Sequence, residues 1–169
     1  MKYDNGFECD RKAKNKLKHL IKDIWFSAFT IAIDEINDNN DKAYIDVIFT
    51  ATSKNNKQYK YAIELKERKG YNHNFKIKDK TVDWMLEKEK YTKLYNAQYL
   101  SGYTSVYYNE FKDDVYALWT LDDIDKCKYE QSLYATKTTQ GNDTTKYDKK
   151  PYLLPFNKAT LTGYTYEEQ

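Results

Sequence analysis

Asp46, Glu64 and Lys66 are the residues of this chain whose types and spacing most directly imply chemistry. They stand in "YIDV" and, 18 positions further on, in "YAIELKERKGY", residues 61–71. The second stretch alternates apolar residues with Glu64, Lys66 and Arg68. Such a segment reads either as a strand with a solvated charged side or as a strand whose second face is a site. Carboxylate oxygens are the hard ligands that Mg²⁺ or Mn²⁺ prefers, so two acids brought together would hold a divalent cation.

Whether they are brought together depends on a hairpin. "AYIDVIFTATS" alternates Ala43, Ile45, Val47 and Phe49 against Tyr44, Asp46, Ile48 and Thr50, and after "KNNKQ" the next strand carries Tyr59, Tyr61, Ile63 and Leu65 on one face. Two such runs joined by a short polar turn make a β-hairpin. Opposed residues in an antiparallel pair share a face, so the apolar sets meet only if the paired residue numbers have the same parity. A three-residue turn at Lys54, Asn55 and Asn56 satisfies this and sets Asp46 opposite Glu64. Their Cβ atoms would then lie about 5 Å apart, with Lys66 two residues along the same face. Like charges so opposed destabilise a sheet unless positive charge sits between them. Lys66 supplies part of that charge and a divalent cation the rest.

Other elements must frame the hairpin. Ala13, Leu17, Leu20, Ile21 and Ile24 recur at three and four, which predicts an amphipathic helix over 10–26 with Asp10 as its cap. "FTIAIDEI" favours a strand, with a continued helix as the alternative, and "NDNNDK" is turn chemistry. Thr81 and the good helix formers after it predict a helix over 81–98, with Leu86, Lys90 and Leu94 on one face. Lys90 either snorkels from that apolar stripe or is a cation held over the acids and a phosphate. Arg68, on the Glu64 face, would grip a phosphate with its planar fork or be solvated at the strand end. "TSVYYNEF" and "VYALWTLDDI" read as two further strands, with Trp119 and Leu121 buried. The fold class is therefore α/β: a central mixed sheet flanked by helices. Residues 1–125 form the core domain, and 126–169 a less regular C-terminal extension packed on it. That extension fits an added hairpin, a DNA-gripping flap or a partner-binding arm, or else a polar tail pinned to the domain by Leu153, Leu154 and Phe156.

Composition narrows the alternatives. At 169 residues the chain suits one domain of ordinary size, and a net charge of +2 neither demands nor excludes a polyanionic partner. The N-terminus has no apolar run of signal-peptide type, and no stretch approaches the roughly 18 apolar residues of a membrane span. The expectation is a soluble cytoplasmic protein, of a bacterial or phage-infected cell, with no membrane partner. Cys9 and Cys127 stand alone, without zinc or disulfide spacing. Eighteen tyrosines amid many Lys, Asn, Asp and Thr follow the bias of an AT-rich genome, so the aromatic content is not by itself a stacking surface. Five glycines and no GxxxxGK[ST] or GxGxxG leave no phosphate-cradling loop, and His19 and His73 read as solvated.

Asp46 followed by Glu64-x-Lys66 resembles the PD-(D/E)XK nuclease superfamily, the restriction-endonuclease-like fold, over roughly residues 8–124. Ile45 stands where the motif is written with proline, a variation the superfamily commonly shows. The resemblance implies that Asp46 and Glu64 bind Mg²⁺ (or Mn²⁺) with the backbone carbonyl of Leu65, and that Lys66 assists the attacking water. It implies a first-helix glutamate near the metal, for which Glu8 is the nearest candidate although it falls off the apolar stripe. "LEKEKYTKL" resembles a helix of phage-type members, which implies a Holliday-junction-resolving or recombination role on DNA, as a homodimer. The alternative within the same fold is an inactive nucleic-acid-binding module, using Lys60, Lys66, Arg68, Lys76, Lys78 and Lys80 with interleaved Tyr59, Tyr61, Tyr71 and Phe75 for phosphate contact and stacking. A protein-interaction domain with neither property is the third.

Overall fold

The computed structural model describes residues 4–36, 45–136 and 146–165, and the side chains of 12–33, 45–133 and 148–165. The "NDNNDK" segment lies outside the described residues. The first helix, α1, spans Asp4–His19 and runs into a π-helical turn, Leu20–Trp25. The expected apolar stripe is the buried one: Ala13, Leu17, Leu20 and Ile21 are at most 2% exposed. Asp10 is not the cap, because the helix starts six residues before it.

The strands in chain order are β1 (Thr30–Ile36), β2 (Val47–Thr52), β3 (Gln58–Arg68), β4 (Lys76–Ile77), β5 (Lys80–Thr81) and β6 (Trp84–Leu86). After helix α2 (Lys88–Tyr99) come β7 (Thr104–Phe111), β8 (Val115–Thr120) and helix α3 (Leu121–Cys127). Then follow β9 (Tyr129–Glu130), β10 (Leu133–Thr136), β11 (Lys146–Lys149), β12 (Tyr152–Leu154) and β13 (Leu161–Tyr164). The central sheet has the order β1-β2-β3-β7-β8-β13. Only β3 and β7 run parallel, and α2 lies in the connection between them, as a parallel crossover requires. The result is the mixed α/β sheet flanked by helices that the sequence led one to expect.

Both faces of this sheet are covered. Leu17, Leu20 and Ile21 pack with Val47, Phe49, Ile63, Leu65 and Tyr108 on one side. On the other, Leu94 and Ala97 of α2 and Leu121 and Ile124 of α3 pack with Ala62, Tyr107 and Trp119, joined by Trp84, Leu86 and Leu154. Those last three come from a small sheet, β6-β12-β9, which the C-terminal segment completes. β13 then returns to pair with β8 at the edge of the central sheet.

Two further expectations are corrected. The helix predicted over 81–98 begins only at Lys88, and Thr81 lies in β5 rather than at a cap. Residues 84–86 are drawn into a strand because Leu154 and Tyr152 offer them a ladder. "LDDI" is not the end of a strand but the start of α3. Thr120 Oγ1 accepts the backbone N–H of Asp123, satisfying a donor the helix leaves free.

Candidate active site

β2 and β3 pair with Val47 opposite Ile63 and Phe49 opposite Tyr61. The Ser53 N–H donates to the Lys57 carbonyl at 2.9 Å, closing a three-residue turn at Lys54–Asn56, with Asn56 at φ 60°. This is the register that parity required. Asp46 stands one residue before β2, where the same register continues to Glu64. There its Oδ2 accepts the backbone N–H of Leu65 at 2.8 Å, so the side chain extends the ladder beyond the end of the strand. N–H and C=O of one strand residue serve the same neighbour, which puts the Leu65 carbonyl on the Asp46 side as well.

The second face of β3 is not a solvated charged side. Glu64 is 1% exposed, because α2 lies across it. Lys90 of α2 reaches the Glu64 Oε1 atom and forms an ion pair and hydrogen bond with it. Glu64 Oε2 is buried with no hydrogen-bond partner among the described residues. A buried carboxylate oxygen left open costs on the order of 1–3 kcal/mol, so a ligand there would be favoured. Burial pushes the Glu64 carboxyl up, the Lys90 ammonium pulls it down, and Asp46 adds to the upward push. Lys90 is held charged, well above the ordinary lysine range, since the fields of Glu64, Tyr107 and Asp46 outweigh its own burial.

Lys66 follows on the same face, half-buried, and makes no hydrogen bond or ion pair among the described residues. Burial lowers its amine, and the cations Arg68 and Lys90 lower it further, against an opposing pull from Glu87. An amine so placed gives up its proton more readily than a solvated lysine, which is what a base acting on water needs.

Arg68 is turned inward. Its Nε donates to Asn109 Oδ1 at 2.7 Å, and one Nη donates to the Met85 carbonyl at 2.6 Å and to the Tyr107 hydroxyl at 3.1 Å. Its guanidinium carbon lies 5.6 Å from the centre of the Trp84 ring. Three acceptors and a ring thus hold the Nε and one Nη of Arg68 in place. Glu8 is in α1, but its side chain lies outside the described ones.

The sequence pattern did not single out Tyr107, Asn109 or Glu87. Tyr107 and Asn109 pair in parallel with Glu64 and Lys66, so the neighbouring strand lines the site. Only the order of strands reveals that, although their spacing of two marks them as sharing a face. Glu87 and Lys149 meet at 3.5 Å from segments far apart in sequence.

For a divalent cation the chain offers the oxygens of Asp46 and Glu64 and the Leu65 carbonyl, and the open Glu64 Oε2 fits such an ion. The described residues hold no cluster of three or more His, Cys, Asp or Glu side chains suited to a metal. None of their helices is long and apolar enough to cross a membrane.

No protein-family model and no curated protein matches this chain. Among solved structures it is similar to Hjc, a Holliday junction resolvase of the archaeal hyperthermophile Archaeoglobus fulgidus. The two are 11% identical, the match covers 86% of this chain and 93% of that one, and the TM-score is 0.47.

Proposed function

We propose that the protein is a metal-dependent nuclease of the PD-(D/E)XK type that hydrolyses phosphodiester bonds in DNA, branched or recombining DNA included. The observation that carries this reading is the buried, open Oε2 of Glu64 beside Asp46, with Lys66 next on the same face. Asp46, Glu64 and the Leu65 carbonyl would hold Mg²⁺ or Mn²⁺. When bound, the ion supplies a Lewis acid for the phosphate oxygens and lowers the pKa of water. Lys66 takes the proton of the attacking water, its amine being depressed by burial and by the neighbouring cations Arg68, Lys90 and Lys149. Lys90 balances the charge of the acids. Arg68, braced by Asn109, Tyr107 and Met85, holds the end of β3 in place. A homodimer would let two such sites cut two strands.

The test is incubation with labelled linear duplex, single strand, flap and four-way junction in Mg²⁺, Mn²⁺ or EDTA, alongside Glu64→Ala. Cutting that needs metal and is lost in Glu64→Ala supports the proposal; the preferred substrate then names its role. One observation favours a second reading, a nucleic-acid-binding module without catalysis. Lys90 already neutralises Glu64 through a direct ion pair, as a vestigial site would. That reading expects DNA binding unchanged by metal and no cutting.

A further inference from the structure

The basic residues that the sequence groups together are separated by the fold. Lys66 and Arg68 face the interior, and Lys60 lies near the far end of β3, beside the β2–β3 turn. Lys76, Lys78 and Lys80 are left together on one exposed ribbon, β4 and β5, joined by a two-residue turn. Asp79 is the only acid between them.

The turn is unusual in its residues. Lys78 has φ 49° and Asp79 φ 64°, the left-handed pair of a type I′ hairpin, for which Asn-Gly is the favoured choice. A lysine in that region costs about 1 kcal/mol or more, so folding alone does not select it at the tip. Cross-strand pairing puts Ile77 and Lys80 on one face and Lys76 and Thr81 on the other. Ile77 is 57% exposed, an apolar side chain standing among cations at the end of a ribbon.

The ribbon is rooted beside the candidate site. The Val82 N–H donates to the Phe75 carbonyl at 3.0 Å and closes its base. Phe75 meets Tyr71 edge to face at 4.9 Å, Tyr71 meets Trp84 at 6.3 Å, and Trp84 carries the Arg68 guanidinium. Arg68 is two residues from Lys66 on one strand. A two-stranded ribbon is one of the shapes that the major groove of B-DNA admits, and its phosphates are complementary to the lysines.

We infer that the β4–β5 hairpin is a DNA-gripping arm that enters the groove of a duplex, with Lys76, Lys78 and Lys80 on the phosphates and Ile77 against the groove wall. This rests on the nuclease reading for its substrate and extends it to how the duplex is seated.

The test is fluorescence anisotropy with labelled duplex and single-stranded DNA of one sequence, across a salt series in EDTA, for the whole chain. The combined variant Lys76→Gln, Lys78→Gln, Lys80→Gln is compared with wild type and with a charge-matched control, Lys22→Gln, Lys54→Gln, Lys158→Gln, whose lysines are exposed elsewhere. The slope of log K against log salt on duplex should fall by about 0.9 for each arm lysine in contact, and little in the control. Ile77→Ser should weaken duplex binding several-fold without changing the slope. A slope equal to wild type, or an equal loss on single strand, overturns the arm. If wild type cuts DNA while the slope is unchanged, only the arm falls; if the slope changes but no metal supports cutting, only the nuclease reading falls. A wild-type chain that binds no DNA contradicts both.

Discussion

Lys90 crosses from α2 to the second face of β3 and pairs with Glu64, whose side chain is 2% exposed. The partners differ in surroundings, because Lys90 keeps 23% of its side-chain surface in contact with solvent. The pair therefore anchors the helix to the strand at the point where the candidate chemistry sits.

Removing the cation should leave a buried charge without its counterion. Lys90→Ala is expected to destabilise the fold by about 3 kcal/mol at about pH 8, the lower end for a broken buried pair, since Lys90 is partly wet. Glu64 already has a raised carboxyl, and loss of Lys90 raises it further. The folded state then binds the proton more tightly than the unfolded one, so protonation favours folding. The deficit should be full above the raised value and close as pH falls toward the ordinary 4.5. Urea unfolding of both proteins across that range checks this; a deficit independent of pH would contradict it.

Asp46 has a structural duty separable from the metal binding proposed for it. Asp46→Asn retains an acceptor for the Leu65 N–H and should stay within about 1 kcal/mol of wild type. Asp46→Ala leaves that N–H open in a part-buried place and should cost about 1–2 kcal/mol. Both should lose metal-dependent cleavage. Equal melting temperatures for the two variants would show that the hydrogen bond contributes nothing.

Arg68 is expected to matter for stability before it matters for DNA. Arg68→Ala strands Asn109 Oδ1, leaves the Met85 carbonyl to the Tyr107 hydroxyl alone and removes the guanidinium from Trp84, at a cost of about 1–3 kcal/mol. Arg68→Lys cannot reproduce the fork and should recover less than half of that. Denaturant midpoints measure both; a fully stable Arg68→Ala would mean the fork is not holding β3.

How much of this was legible in the sequence depends on the range of the interactions involved. The β2–β3 register followed from parity and a polar turn, both local, and it carried Asp46 to Glu64. The start of α2 did not follow, since Trp84–Leu86 is held as strand by Tyr152–Leu154, which local propensity cannot register. The start of α3 was legible and misread: Thr120 with Asp123 three residues on is a capping pattern, outweighed by the β-branched and aromatic run before it. The inward turn of Arg68 was beyond reach, because two of its three partners come from β7, whose place beside β3 is a matter of topology.

Cleavage by Lys66→Ala tests the central claim most directly. The residue is half-buried and no described group depends on it for a hydrogen bond, so the variant should melt within a few degrees of wild type. In Mg²⁺ or Mn²⁺, wild type should cut labelled duplex or junction DNA and fall silent in EDTA. Lys66→Ala should cut at least about a hundred-fold more slowly, the usual span for loss of a general base. Wild-type rates from a folded Lys66→Ala protein, or undiminished cutting in EDTA, would contradict the account.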